Sequence, residues 1–462
     1  MNGTKMNAAP LLQAVERVDT MTNYGIVNEI VGLVVEAIGP PGVALSEICI
    51  LGDPETSHIR AEVVGFKQNR VLLMPLGEIE GIRPGTTVFP TRTPLKVPVG
   101  ETLKGRVIDG LARPLDGEGQ IHALERRPVY GAAPEPLKRR RVQEVLGTGV
   151  RSIDGMITCG VGQRLGIFSG SGIGKSTLLG MIAKNSDADV NVIALVGERG
   201  KEVLDFMEDN LGEQGLQRSV VIVSTSEQPA LIRLKAALTA TTIAEYFRDQ
   251  GQDVMLMMDS LTRVAMAQRE IGLAAGEPPT TKGYTPSVFA LMPKLLERVG
   301  STKNGSITGM YTVLVEGDDL DDPIADASRA ILDGHIVLSR DLATRGHYPP
   351  VDVLNSVSRA MKDVVSESHW ERSMEIRMLM SAYNDAEDLV NIGAYVPGSN
   401  SRVDRALQYV EPINNYLQQG IEDRGAIGHH VQRLMGLLEV QETAPPENVV
   451  GEGGTTGQGA VH

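Results

Sequence analysis

Leu11, Leu12, Val15 and Val18 recur at helical spacing with Glu16, Arg17 and Asp19 opposite, which predicts a short amphipathic helix over residues 1–22. From Tyr24 the pattern changes to short apolar runs at 30–37, 47–51, 60–66, 71–75 and 86–88, broken by turns such as Gly39-Pro40-Pro41-Gly42 and Arg83-Pro84-Gly85. Short strands at regular spacing predict a small β-barrel over 23–100. A stretch rich in Gly, Pro and Asp, 97–119, reads as a connector. Apolar runs then alternate with helical patterns: 165–168, 191–196, 219–224, 253–258, 307–315 and 334–338. Such alternation predicts an α/β domain over 101–370, its mainly parallel sheet covered by helices on both faces. Helical spacing dominates 371–440, for example at 385–391 and 401–419. Residues 441–462 are too rich in Gly, Thr and Pro to build a core and are expected to be a disordered tail.

One stretch organises the α/β part. The buried-strand run Leu165–Phe168 leads into Ser169-Gly170-Ser171-Gly172-Ile173-Gly174, then Lys175-Ser176-Thr177 and an apolar-periodic helix. A strand, a glycine-rich turn and a helix opening on Lys-Ser is a phosphate-binding arrangement. The glycines let backbone N–H groups turn inward, and the helix N-terminus adds partial positive charge. Lys175 would reach the β- and γ-phosphates, and the Ser176 hydroxyl would ligate Mg²⁺. Ser169 stands where the strict pattern has glycine. A glycine-rich turn without a ligand is the plain alternative.

Composition narrows the function classes. The 462 residues, 42% hydrophobic and 22% charged, are those of a globular protein of several domains. No apolar run approaches the roughly 18 residues of a membrane span, and Glu16 and Arg17 interrupt any leader-like stretch, so a cytoplasmic protein is expected. A net charge of −14 with 4% aromatic residues argues against a nucleic-acid partner. The basic run Lys138-Arg139-Arg140-Arg141 reads as a solvated interdomain or intersubunit patch. Cys49 and Cys159 read as core residues, and His429-His430 has no carboxylate at useful spacing for a metal.

Five further positions suit nucleotide chemistry, each with an ordinary alternative. Asp259, at the tip of the apolar run 253–258, suits Mg²⁺ coordination, or a helix cap. In Gly197-Glu198-Arg199-Gly200, Glu198 suits activation of water for in-line attack and Arg199 suits the γ-phosphate charge, or the two form an exposed ion pair. Arg359, closing HYPPVDVLNSVSR, suits a finger reaching a neighbouring subunit's phosphate, or a surface ion pair. Tyr348 suits stacking on a base, or is an aromatic held by two prolines. The absence of an N-K-x-D tetrapeptide favours adenine over guanine.

SGSGIGKST, VGERG, LMMDSLTR and PPVDVLNSVS, in that order after a β-barrel, resemble the catalytic-subunit family of rotary ATPases and type III export ATPases. MDSLTRVAMAQREIGLAAGEPP, GYTPSVFALMPKLLERVG, YTVLVEGDDLDDPIAD and DGHIVLSRDLATRGHYPPVDVL narrow the resemblance to flagellar export ATPases. It implies a RecA-like central domain binding ATP and Mg²⁺. In that site Ser169 to Thr177 hold phosphate, Ser176 and Asp259 hold Mg²⁺, and Glu198 activates water. Arg199 touches the γ-phosphate, Tyr348 stacks on adenine, and Arg359 is supplied across the subunit interface. It also implies a homohexamer, a regulatory stalk-like protein on the N-terminal helix and a coiled-coil protein in the central pore. Chaperoned export substrates and an export gate on the cytoplasmic face of the membrane complete the implied partners. A virulence-type injectisome ATPase shares all of this chemistry and is the rival reading; a rotary F- or V-type subunit is a more distant one.

Overall fold

The computed structural model describes residues 23–53, 57–315 and 322–439. The expected N-terminal helix, the tail and part of the VEGDD string lie outside them. Six strands form a closed barrel: β1 (Gly25–Val31), β2 (Val34–Ile38), β3 (Glu47–Asp53), β4 (Ser57–Lys67), β5 (Arg70–Pro75) and β6 (Thr87–Pro94), in the order β1-β2-β5-β4-β3-β6. Alternate residues point inward, and Val27, Val35, Cys49, Ala61, Val63, Leu73 and Val88 fill the lumen. The apolar run 30–37 is two strands, not one. Val31 pairs with Val34 across a turn in which Gly32 takes a left-handed φ of 57°, a conformation that costs glycine little.

The outward residues of β5, Leu72 and Met74, are buried as well, because they pack on the central domain. A buried polar cluster fixes the same junction. Lys235, fully buried, forms an ion pair with Glu62 of the barrel and donates to the Tyr130 hydroxyl at 2.5 Å. The Tyr130 hydroxyl in turn donates to Glu62 at 2.6 Å. Removing one partner from such a set leaves a buried charge without compensation, at a cost of about 3–5 kcal/mol.

The central sheet comprises β7 (Val107–Asp109), β8 (Arg164–Ser169), β9 (Val190–Val196), β10 (Ser219–Ser224), β11 (Asp253–Asp259), β12 (Ser306–Leu314), β13 (Gly334–Leu338) and β14 (Val351–Ser358). Their order is β14-β13-β8-β12-β11-β9-β10-β7. All these pairings are parallel except β13 with β14; a ninth, two-residue strand, Gly300–Ser301, lies off this path and pairs antiparallel with β12. The six expected strands are all present. The connector 97–119 is not a plain linker, since Val107–Asp109 adds β7 to the sheet beside β10. The run 351–358 supplies the antiparallel edge strand.

The helices that matter for the site are α1 (Lys175–Asn185), α2 (Gly200–Asp205), α3 (Gly212–Gln217), α4 (Ala230–Asp249) and α5 (Leu261–Ala274), followed by α6 (Glu367–Asn391), α7 (Ser401–Leu417) and α8 (Ile427–Gly436). The last three cover one end of the sheet. His430 of α8 is buried against Asp154 at 2.8 Å, and Asp154 also accepts from Thr148 and Gly149. The carboxylate missing from the local sequence around His429-His430 is thus supplied from 276 positions away. The basic run is also more than a solvated patch. Arg139 donates to Val299 O at 3.1 Å and pairs with Glu297 at 2.9 Å, and Arg140 donates to Lys303 O at 2.7 Å. Lys138 alone keeps a local, exposed partner, Glu135. Cys49 and Cys159 are buried free thiols. Among the described residues no helix is long and apolar enough to cross a membrane.

Candidate active site

Parallel strands leave their carboxyl ends along one edge, where ligands of such sheets bind. There β8 ends at Ser169 and hands over to the glycine-rich loop, which runs into α1. Gly172 and Gly174 have φ of 76° and 101°, values that an L side chain strains to adopt. Gly170, Ser171 and Gly172 lead the loop out, and the Ile173 side chain anchors it in the core. Ser169, which stands where the strict pattern has glycine, is fully buried. Ser176 and Thr177 sit on the first turn of α1, whose N–H groups have no intrahelical acceptor.

Three charged groups converge at the loop's mouth. Lys175 Nζ donates to Asp259 Oδ1 at 2.6 Å and to Glu198 Oε1 at 3.4 Å. Asp259 ends β11 and also accepts from Thr312 Oγ1 at 2.8 Å. It does not cap the next helix: Ser260 Oγ does so, accepting from the Arg263 N–H at 3.3 Å. Burial alone would pull the Lys175 ammonium down, but Asp259 and Glu198 hold it above its ordinary value. Glu198 responds the other way. Burial first, then the Asp259 charge, push its carboxyl up to about 7, against the pull of Lys175 and Arg263. A hydrogen bond with Glu198 holds Glu202 below the usual carboxylate range.

Arg199 is not in this group. Its side chain is 79% exposed and lies 3.7 Å from Glu202, the geometry of an exposed ion pair. Tyr348 is half exposed beside the loop: its ring and Pro350 lie 3.9 and 3.8 Å from where a Cβ on Gly174 would sit. The Tyr348 carbonyl accepts from the Gln419 N–H at 2.9 Å, which ties this wall to the helical C-terminal part. Arg359 lies at the opposite edge of the sheet. It follows Ser358, which pairs with Gly334 at the amino end of β13. It is exposed, and its guanidinium donates to Arg329 O at 3.3 Å. Among positions that sequence reasoning passed over, Arg263 meets the site alongside Thr312 and Glu202. It lies one helical turn beyond Asp259, its side chain packs on Gly197, and its charge acts on Glu198. The only sequence signal was its spacing from Asp259.

The fold and loop define a P-loop nucleotide-binding protein with a β-barrel before the sheet and a helical unit after it. Residues 149–358 match the ATP synthase alpha/beta family nucleotide-binding domain, 27–92 its beta-barrel domain, and 365–436 the T3SS EscN ATPase C-terminal domain. The flagellum-specific ATP synthase of Bacillus subtilis is 52% identical over 95% of this chain and 100% of its own length. The type 3 secretion system ATPase of Xanthomonas euvesicatoria is 48% identical over 90% and 94%. Among solved structures, the assembled ATPase EscN of enteropathogenic E. coli, in complex with its central stalk EscO, superposes with a TM-score of 0.83. It is 42% identical and covers 89% of this chain and 99% of that one. The chain belongs to the ATP synthase alpha/beta family, in the branch of flagellum-specific ATP synthases and type 3 secretion system ATPases.

Proposed function

We propose that this chain hydrolyses Mg-ATP at sites shared between neighbouring copies of a homohexamer, and that turnover drives export of flagellar proteins. The observation that carries the reading is the Lys175 ammonium held between Glu198 and Asp259 at the mouth of the glycine-rich loop. The loop amides and Lys175 take the β- and γ-phosphates, Ser176 and Asp259 supply oxygen ligands of the kind Mg²⁺ takes, and Tyr348 stacks on adenine. When bound, Mg²⁺ neutralises charge developing on the phosphate oxygens. Glu198 accepts the proton of the attacking water, Arg199 meets the γ-phosphate, and Arg359 serves the neighbouring copy's site.

The family also supports a cytoplasmic protein that works at the inner face of the membrane. In this reading a regulatory stalk-like protein holds residues 1–22, a coiled-coil protein enters the ring, and chaperoned substrates are released towards an export gate. A secretion-system role is the second reading, favoured by the near-equal identity to the Xanthomonas ATPase. Two measurements test the proposal. ATP turnover per chain should rise with protein concentration as rings assemble, and the gene should restore motility to a host lacking its flagellar export ATPase. Turnover independent of concentration would remove the shared site, and rescue of secretion without motility would select the second reading.

The raised Glu198 carboxyl gives a pH signature. A base works deprotonated, so kcat/KM for ATP should climb as pH rises through about 7 and level off above it. The linkage runs oppositely for stability. The folded chain binds the extra proton between the usual carboxylate range and about 7, so this group's contribution to stability falls as pH rises across that window. The activity limb should vanish in Glu198→Gln; a profile that keeps it would assign the ionisation to another group.

A further inference from the structure

Helix α2 starts two residues beyond Glu198, yet the chain does not continue from it in α-helical winding. Phe206–Leu211 forms a π-helical turn between α2 and α3, closed by the Gly212 N–H donating to Met207 O. The sequence explains it. Phe206 and Leu211 are both buried, but five residues apart they would lie roughly 140° from each other on an α-helix. Winding with i→i+5 bonds returns them to one face and pushes the exposed Glu208 and Asp209 outward.

The turn also touches the phosphate loop's own helix. A Cβ placed on Gly180 of α1 would come within 2.7 Å of both Asn210 Cβ and Asn210 O, so the two backbones are packed directly on each other. One continuous path therefore runs from Lys175 along α1, through Gly180 to Asn210, and back along α2 to Arg199. At its end the dipeptide is split: Glu198 meets Lys175, while Arg199 faces solvent beside Glu202.

We propose that the Phe206–Leu211 turn is a register switch for the Glu198-Arg199 pair, driven through the Gly180–Asn210 contact by phosphate on the loop. Losing the extra residue from the winding turns α2 by about 100°, one residue's rotation, which takes Phe206 off its buried face and Arg199 out of its present exposed place; in this proposal the place it moves to is the phosphate site. Gly197, at φ 74°, and Gly200 flank the dipeptide and absorb the rotation. This rests on the ATPase reading above and deepens it by naming how Arg199 reaches its place.

Deleting Asp209 tests the switch without emptying the core, because Phe206 and Leu211 then stand four apart and α-helical winding buries both. The deletion should fix the resting register, because α2 keeps the orientation that buries Phe206 and has no extra residue left to lose. Expected are a melting temperature close to wild type, a loss of ATP turnover of about tenfold or more, and a similar loss of affinity for a non-hydrolysable ATP analogue. In the unaltered chain, the same analogue should change hydrogen-exchange protection of the amides at 206–212. A deletion variant with wild-type turnover and affinity would overturn the proposal. So would an exchange pattern at 206–212 indifferent to saturating analogue, which decides the matter if the deletion variant fails to fold. A chain that hydrolyses no ATP would instead sink the ATPase reading itself.

Discussion

Glu198→Gln is expected to lower ATP turnover by about 10²–10⁴-fold, the usual worth of a positioned general base, while ATP continues to bind. Glutamine keeps the size of the side chain and can still meet Lys175, but it cannot take a proton from water. Binding should survive because Asp259 still holds Lys175 at 2.6 Å and the loop amides are untouched. It should even tighten, since a buried carboxylate no longer faces the incoming phosphates. Steady-state hydrolysis and titration with a fluorescent nucleotide separate the two effects. Turnover within about threefold of wild type would move the base elsewhere, and Glu202, hydrogen-bonded to Glu198, is the next carboxylate to replace. The Glu198 carboxyl, pushed up to about 7, changes charge near working pH, and that is what makes the assignment specific. A carboxylate already well ionised by Lys175 would be a structural ion pair and little else.

Where sequence was enough, the reason was local. The strand–glycine loop–helix unit is one contiguous run whose apolar periods, glycines and Lys-Ser pair all agree. The core strands read as unbroken apolar runs because helices cover both faces, as in Asp253–Asp259, buried from its second residue to its last. What escaped depends on partners distant in the chain. Val107–Asp109 is three residues long inside a Gly/Pro/Asp-rich stretch, and only the edge of β10 makes it a strand. The Lys235–Glu62–Tyr130 cluster joins three separate segments, each of which alone carries an unremarkable polar residue. Arg139 reads as surface charge until Glu297 and Val299 close over it. Arg263 was overlooked because an arginine in an exposed-looking helical pattern carries no sign of the Gly197 backbone that it packs against. The π-helical turn shows the same limit in reverse. A five-residue spacing of buried anchors was visible in the sequence, but an α-helical template discards it.

Arg359→Ala carries the largest expected effect, a loss of about 10³–10⁵ in turnover if the guanidinium is a finger supplied in trans. The fold should be indifferent to it, because the side chain is exposed and bonded to one backbone carbonyl, so melting should not move. Its position excludes service to its own loop: β13 separates the two edges by five residues, roughly 16 Å of strand. The decisive experiment mixes subunits. If every site draws Glu198 from one copy and Arg359 from its neighbour, the Glu198→Gln and Arg359→Ala chains are each inactive alone but complement each other in a mixed ring. Random equimolar assembly places both intact residues at about a quarter of the sites of a closed ring with head-to-tail interfaces, and turnover should recover towards that fraction. No recovery, with rings formed, would put both residues at the same subunit's site. Normal turnover by Arg359→Ala alone would leave the exposed arginine with only its contact to the Arg329 carbonyl.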